Sequence, residues 1–407
     1  MTVNPTDVGA PLAGMRIIDL TNVVMGPYCT QVLGDYGADV IKIEPPTGDT
    51  TRQIPPMRNA GMGCMFLHLN RNKRSVQLDL KNPDAVEALV EIAAGVDAIV
   101  CNVRPAAMGR LGVTYERLSA KNPGLIWLSL VGFGSDGPYA GRPAYDDLIQ
   151  GLTAMPSLLV SAGSGHPHYV PLSFNDRAVG LHAAIALLAA VQHRQRTGVG
   201  QVVEVPMYET MVQFTVGDHM GGQTFEPPNG PPGYQRTLTP ERRPYPTTDG
   251  HVCAIIYTDR HWQSFFEMTG QPDRFATDER VSSLLARTTY AKELYAEVGE
   301  VLKTRDTAYW LDAFNAADIP ATPLHTLDSV FHDPHLVATD TFHVVEHPTE
   351  GTMREIAMPT TWSRWQPEPN RPAPLLGQHT EEVLREAGVD DALLQRLIPP
   401  TSIPTTD

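Results

Sequence analysis

SVQLDLKNPDAVEALVEIAAGVDAIVCNV, residues 75–103, holds a strand, a helix and a second strand in one short stretch. SVQLDL (75–80) is a short apolar run of strand length. Asn82-Pro83 follows as a helix start, with asparagine at the N-cap and proline at the first helical position. From Pro83 to Ala94, Val86, Leu89, Val90 and Ala93 fall on one face, at the spacing i, i+3, i+4, i+7. AIVCNV (98–103) is a strand again. Two strands joined through a helix predict parallel pairing.

The alternation continues outward. Upstream, MRIIDL (15–20) reads as a strand, residues 27–36 as a helix, and ADVIKIE (38–44) as a strand ended by Pro45 and Pro46. Downstream come LIWLSLV (125–131), a helical stretch over 176–194 rich in Ala, Leu and Ile, the turn RTGVGQ (196–201), and VVEV (202–205). The expected class is α/β with a doubly wound parallel sheet. A chain of 407 residues is too long for one ordinary core, so a second domain is expected. The sharpest compositional change is at 217–246, where GG, PP, NG and PPG mark a linker or functional loop. DGHVCAIIYT (249–258) restarts β structure, with helical stretches over 261–270 and 290–317. The expected organisation is a large domain over 1–216, a linker over 217–246, a smaller domain over 247–330, and a C-terminal segment over 331–407.

Bulk properties exclude several classes. With 42% hydrophobic and 19% charged residues, the chain has a globular composition. A formal charge of −15 argues against nucleic acid and against anionic membrane surfaces. No apolar run approaches the roughly 18 residues that a bilayer span needs. MTVNPTDVGAPLAG lacks the features of an export leader. Cys29, Cys64, Cys101 and Cys253 lie far apart with no CxxC spacing, which fits a reducing, cytoplasmic setting. No metal is expected: HExxH is absent, and the pairs His166/His168 and His332/His335 lie in proline-containing loops. GxxxxGK[ST] and GxSxG are absent. GFGSDG (132–137) matches GxGxxG, but Pro138, Gly141 and Pro143 break the helix that a dinucleotide needs there. Cys29, on an apolar helix, reads as core.

In open parallel sheets ligands bind beyond the carboxyl ends of the strands. Lys81 follows the third strand, Arg104 the fourth with Arg110 six residues on, and Arg142 lies in the loop after the fifth. In a chain this acidic, cations at three of five strand ends suggest a rim for phosphate or carboxylate groups. Each one alone reads equally as solvated loop charge.

The ordered motifs resemble the class III CoA-transferases, the family of formyl-CoA transferase, carnitine CoA-transferase and α-methylacyl-CoA racemase. The likeness runs from PLAGMRIIDLTNVVMGPYCTQVLGDYGADVIKIEPPTGDTTR (11–52) to PLLGQHTEEVLREAG (374–388). Between them lie LNRNKRSVQLDLK (69–81), CNVRPAAMGRLGV (101–113), GFGSDGPYAGRPAYDDLIQ (132–150) and HRQRTGVGQVVEVPMYETM (193–211). The resemblance implies a Rossmann-like large domain completed by the C-terminal tail, a small α/β domain, and an interlocked homodimer. It implies transfer of CoA from an acyl-CoA to a free carboxylic acid through an aspartyl-CoA thioester. CoA is then a substrate, and no metal or permanently bound cofactor is needed.

The implied nucleophile is Asp176, in SFNDRAVGLHAAIALL. Read without the resemblance, Asp176 is more readily an N-cap than a nucleophile. The implied CoA contacts are Leu80, Lys81, Asn102, Val103, Arg104, Arg110, Arg142 and Tyr145, with Asp146 supporting catalysis. The Asn175-Asp176 amides are expected to serve as oxyanion donors, and the helix dipole to hold Asp176 ionised. His182 is expected in the core.

Asn22 and Val24 stand where formyl-CoA transferase has histidine and glutamine, and PNGPPGYQ (228–235) is the nearest match to its glycine loop. Tyr145 stands before Asp146 where the racemases carry a histidine proton donor, which favours transfer over racemisation. The remaining alternatives are that racemase chemistry and a non-catalytic CoA-binding protein. The acyl donor and acceptor are left unspecified, with residues 54–68 and 217–246 expected to shape the acyl pocket.

Overall fold

A computed structural model describes residues 9–398. In chain order its first elements are β1 (Arg16–Leu20), α1 (Met25–Asp35), β2 (Asp39–Glu44), α2 (Cys64–Leu69) and β3 (Lys73–Gln77). Next come α3 (Pro83–Ala94), β4 (Ala98–Cys101), α4 (Pro105–Arg110), α5 (Tyr115–Ser119) and β5 (Ile126–Val131). Then follow α6 (Asp146–Leu152), α7 (Met155–Leu159), α8 (Phe174–Thr197) and β6 (Gln201–Pro206). The six strands form one parallel sheet in the order β3-β2-β1-β4-β5-β6, the doubly wound arrangement expected from the alternation. The winding reverses between β1 and β4, where Ile17 pairs with Val40 on one side and Ala98 on the other.

The chain divides into two compact units. The first comprises Met1–Ile149, Pro171–Val212 and Thr339–Asp407; the second comprises Gln150–Val170 and Gln213–Ala338. The excursion over 150–170 therefore goes with the second unit, which no composition change announces. In the first unit, Ile18, Ile41, Val76 and Ile99 pack with Val86, Leu89, Val90 and Ala93 of α3. Val383, Leu384, Leu393 and Leu394 from the C-terminal segment complete this core. The same segment closes the sheet edge. Ser75 O accepts from His379 N at 2.9 Å, and Gln77 N donates to Thr380 Oγ1 at 3.0 Å. Backbone groups that an edge strand would otherwise expose are thereby satisfied.

Four expectations need correction. β3 begins at Lys73, two residues before the apolar run, because Lys73 and Arg74 are buried with carboxylate partners that hydropathy does not register. The helical stretch over 290–317 is two helices, Ala291–Leu302 and Thr307–Ala316. Asp306 starts the second, its carboxylate accepting from Tyr309 N at 2.7 Å. Finally, α8 is long and apolar enough to cross a membrane by length and composition. It packs along α1, where a Cβ on Gly180 would lie 2.7 Å from Met25 O, and its buried stripe includes Val179, Ala183 and Leu187. His182 falls outside that buried stripe and is exposed.

The second unit has its own core, built from Trp262, Phe265, Phe266, Trp310 and Phe314 against Val252, Leu294 and Val298. Its three-stranded antiparallel sheet is β7 (Tyr245–Pro246), β8 (His251–Ala254) and β9 (Ala321–Pro323). Residues 217–246 hold short helical turns and β7 rather than loop alone. Their glycine-rich part folds back on itself. Gly222 N donates to Pro231 O at 3.0 Å and Gly222 O accepts from Asn229 N at 3.1 Å. A Cβ on Gly222 would meet Gly230 N at 2.3 Å, so only glycine permits that approach.

Candidate active site

The site builds up from the carboxyl edge of the parallel sheet, all within the first unit. At the switch point, Asn22 and Asn102 bridge β1 and β4: Asn22 N donates to Asn102 Oδ1 at 3.0 Å, and Asn102 Nδ2 donates to Asn22 O at 2.8 Å. Asn22 Oδ1 also accepts from Thr50 N at 3.0 Å, tying in the segment after β2. Next to it Val23 has φ +72°, an outlier for a β-branched residue, held where the chain turns from β1 into α1.

Beneath this turn lies a buried charge network that sequence reading missed. Asp19 is fully buried; Lys73 Nζ lies 2.9 Å from its Oδ2, and Thr30 Oγ1 donates to that same oxygen at 2.7 Å. Thr21 N donates to Asp19 Oδ1 at 2.9 Å, and Lys42 Nζ reaches Thr21 O at 2.9 Å and Asp49 Oδ2 at 3.0 Å. Burial opposes the charge on Asp19, yet Lys42, Lys73 and the two hydroxyls hold its carboxyl well below the usual range. Lys73 is pushed down to about 8, by burial first and with Asp19 opposing. The available signal was a charged residue in each of three strands otherwise of core type.

The expected CoA-contacting residues lie along this edge. Leu80 and Lys81 follow β3, and Lys81 is exposed, its N–H donating to Asp79 Oδ1 at 3.1 Å. Val103 and Arg104 are exposed after β4; Arg104 caps α4, and Arg110, also exposed, closes it. Arg142 stacks over the Tyr139 ring at 4.4 Å in the β5–α6 loop, and Tyr145 is 69% exposed. Three strand spacings separate the ends of β3 and β4, about 14 Å of rim. Lys81 and Arg104 therefore suit an extended ligand rather than one small anion. Near the same edge Met25 is buried and Tyr28 half-buried, whereas Phe225 lies exposed in the second unit.

Asp146 and Asp176 meet directly. Asp146 opens α6 and Asp176 is the third residue of α8. The Ser173 side chain makes no cap hydrogen bond. Instead Asp146 Oδ2 accepts from Asp176 N at 3.0 Å, and Asp146 O accepts from Asn175 Nδ2 at 2.9 Å. The neighbouring helix thus supplies the cap, and Asp176 is not itself the N-cap residue. Two expectations fall with this geometry. The Asp176 amide is already engaged and is no oxyanion donor in this arrangement. Nor does the helix dipole dominate its ionisation: burial first, then the Asp146 charge, push the Asp176 carboxyl up to about 7, with Arg177 opposing. Arg177, which sequence reading passed over, lies with its guanidinium 4.9 Å from the centre of the Tyr28 ring. By contrast, burial drives the Cys29 thiol far up, as an inert core cysteine requires.

Residues 12–380 match the family model described as CoA-transferase family III. The chain belongs to that family. Succinyl-CoA:mesaconate CoA-transferase of Haloarcula marismortui is 33% identical over 93% of this chain and 97% of its own length. Formyl-CoA:oxalate CoA-transferase of Afipia carboxidovorans is 32% identical, covering 92% and 93%. Succinyl-CoA:glutarate CoA-transferase of Homo sapiens is 28% identical, covering 95% and 89%. Among solved structures, a mutant of Rv3272 from Mycobacterium tuberculosis superposes with a TM-score of 0.79 at 30% identity, over 92% of this chain and 98% of that one. A CAIB/BAIF family protein from Brucella suis gives 0.77 at 28% identity, over 93% and 99%. In this family III chain the sheet, the bridge at the switch point and the paired aspartates all belong to the first unit.

Proposed function

We propose that this chain moves coenzyme A from an acyl-CoA to a free carboxylic acid through a thioester on Asp176. The observation that carries the proposal is the Asp146–Asp176 pair: a carboxyl half-withdrawn from solvent, poised near neutrality at a helix start. Asp176 carboxylate attacks the thioester carbonyl, giving a mixed anhydride and releasing CoA thiolate. The thiolate attacks the aspartyl carbonyl of that anhydride, so the first acid departs as its carboxylate and Asp176 holds CoA. A second acid then attacks the aspartyl thioester. The thiolate returns to the new acyl group, and Asp176 is regenerated. Each step exchanges one activated acyl bond for another, so no external energy source is needed.

Leu80, Lys81, Asn102, Val103, Arg104, Arg110, Arg142 and Tyr145 are the proposed CoA contacts, with the cations taking the phosphates. Asp146 positions Asp176 by holding the first turn of α8. A homodimer is supported by the exposed apolar side chains Leu181 and Ile185 on α8, 44% and 65% accessible in the single chain. Free Cys29, Cys64, Cys101 and Cys253 fit a cytoplasmic setting.

The decisive experiment is interception. Protein cycling between an acyl-CoA and an acid is quenched with hydroxylamine or borohydride and mapped by peptide mass spectrometry, and the label is expected on Asp176. An unlabelled Asp176 under turnover refutes the mechanism. Deuterium entering the acyl α-carbon from heavy water without CoA exchange indicates racemase chemistry instead.

A pH profile tests the role of Asp146. Because Asp176 must be ionised to attack, activity is expected to rise with pH through about 7. Asp146→Asn retains an acceptor for Asp176 N and removes the neighbouring negative charge. The rising limb is therefore expected to move toward acid. A limb that stays in place excludes Asp146 as the source of the shift.

A further inference from the structure

Arg177 is a solvent-exposed cation next to the proposed nucleophile, with no carboxylate in a salt bridge to it among the described residues. The buried arginines of the first unit are matched: Arg52 with Glu44 at 2.7 Å, Arg71 with Asp35 at 2.6 Å, Arg74 with Asp39 at 2.6 Å. No carboxylate among the described residues pairs with Arg177. Its N–H is spent inside the helix on Ser173 O at 3.1 Å, and its guanidinium faces the Tyr28 ring at 4.9 Å. A ring face orients a guanidinium without neutralising it. The acidic groups nearby are Asp176, whose carboxyl Arg177 helps hold down against burial and Asp146, and Glu355, which acts on His68. His68 is held down toward its neutral form, by burial first and by Arg71 next, with Arg177 adding to that and Glu355 opposing.

The reaction places a limit on what answers this cation. With CoA sulfur at Asp176, the phosphates lie at the far end of the pantetheine arm, away from the reacting carbonyl. A monocarboxylic acid brings one carboxylate, which is consumed in the anhydride. A dicarboxylic acid brings a second carboxylate that survives every step, a few bonds from the reacting one. Once Asp176 carries CoA as a thioester, Asp146 still repels an incoming dianion, so recognition needs a nearby cation.

We propose that Arg177, presented on the first turn of α8 and backed by Tyr28, is the specificity-determining residue that receives the distal carboxylate of a dicarboxylic acid or of its CoA thioester. This rests on Asp176 as the transferring residue. It accords with the names of the relatives above, since succinate, mesaconate, glutarate and oxalate all carry two carboxyl groups.

The test compares acids of equal carbon number, succinate with butyrate and glutarate with pentanoate, as acceptors from one constant donor, butyryl-CoA. Arg177→Gln is expected to raise KM for the dicarboxylic acids on the order of tenfold or more and leave KM for the monocarboxylic acids within about twofold. Arg177→Lys is expected to recover part of the loss, as a charge without the planar fork. Equal loss for both acid classes, or none for either, overturns the assignment. Equilibrium dialysis of labelled succinate against the CoA-saturated protein separates this from the parent reading. Weaker binding in Arg177→Gln supports the subsite even if no acid accepts CoA, an outcome that would refute only the transferase mechanism. Succinate that fails to bind the wild-type protein, or binds both proteins alike, refutes the subsite.

Discussion

Asp176→Ala is expected to lower kcat for CoA transfer by about 10^4-fold or more, while CoA affinity stays within about twofold of wild type. The size follows from the route. Without a side-chain carboxylate, neither the anhydride nor the enzyme-bound thioester can form, and direct attack of one carboxylate on a thioester is slow. Asp146 does not substitute: its Oδ2 caps α8 at 3.0 Å from Asp176 N, and moving it to attack would uncap the helix. Asp176→Asn separates chemistry from folding. It is expected to be equally inactive, yet more heat-stable than wild type at pH 8. The ordinary aspartate value of 3.8 is raised to about 7 in the fold, so between those values the folded state holds a proton the unfolded state has released. That difference stabilises the folded state at low pH and is lost as pH rises through 7. Asparagine carries no such loss, so the Tm gap between mutant and wild type should widen from pH 4 to 7 and then level, as read by calorimetry. A mutant that keeps turnover, or one less stable than wild type at every pH, contradicts this account of the site.

How far the sequence discloses this site depends on the physics behind each residue. The strands and α3 are legible because burial writes itself as apolar runs and as a 3.6-residue period, and the N-cap and proline of Asn82-Pro83 mark a start that the structure keeps. Parallel pairing follows from alternation, and with it the shared edge of Lys81, Arg104 and Arg142. Partnership is what the sequence hides. Lys42, Lys73 and Arg74 look like surface residues to a hydropathy reading, and only long-range contacts show them neutralised and buried. The capping of α8 by Asp146 joins residues thirty positions apart. Nothing local to FNDRAVG tells an engaged amide from a free one, or shows that no described carboxylate forms a salt bridge with Arg177. The same limit moved the start of β3 and placed His182 on the wrong side of its helix.

Asp19→Ala is expected to cost about 3–5 kcal/mol of folding stability, the range for removing one member of a buried charge network. Lys73 and Lys42 would keep their burial and lose the carboxylate between them, and Thr21 and Thr30 would lose their acceptor. Urea titration followed by circular dichroism measures this as a lower midpoint. A change under about 1 kcal/mol would mean that water or rearrangement replaces Asp19. The pair of replacements Asp19→Leu and Lys73→Met tests the cause. If the cost is an uncompensated ammonium, the double variant should be less destabilised than the sum of the two singles, because both charges leave together. The functional consequence follows from the contacts. Asp19 holds Thr21, whose carbonyl holds Lys42, and the next residue is Asn22, which bridges to Asn102 at the switch point. In Asp19→Ala protein that remains folded, KM for the acyl-CoA should therefore rise before kcat falls, since the network supports the edge where CoA is proposed to bind and leaves the Asp146–Asp176 pair intact.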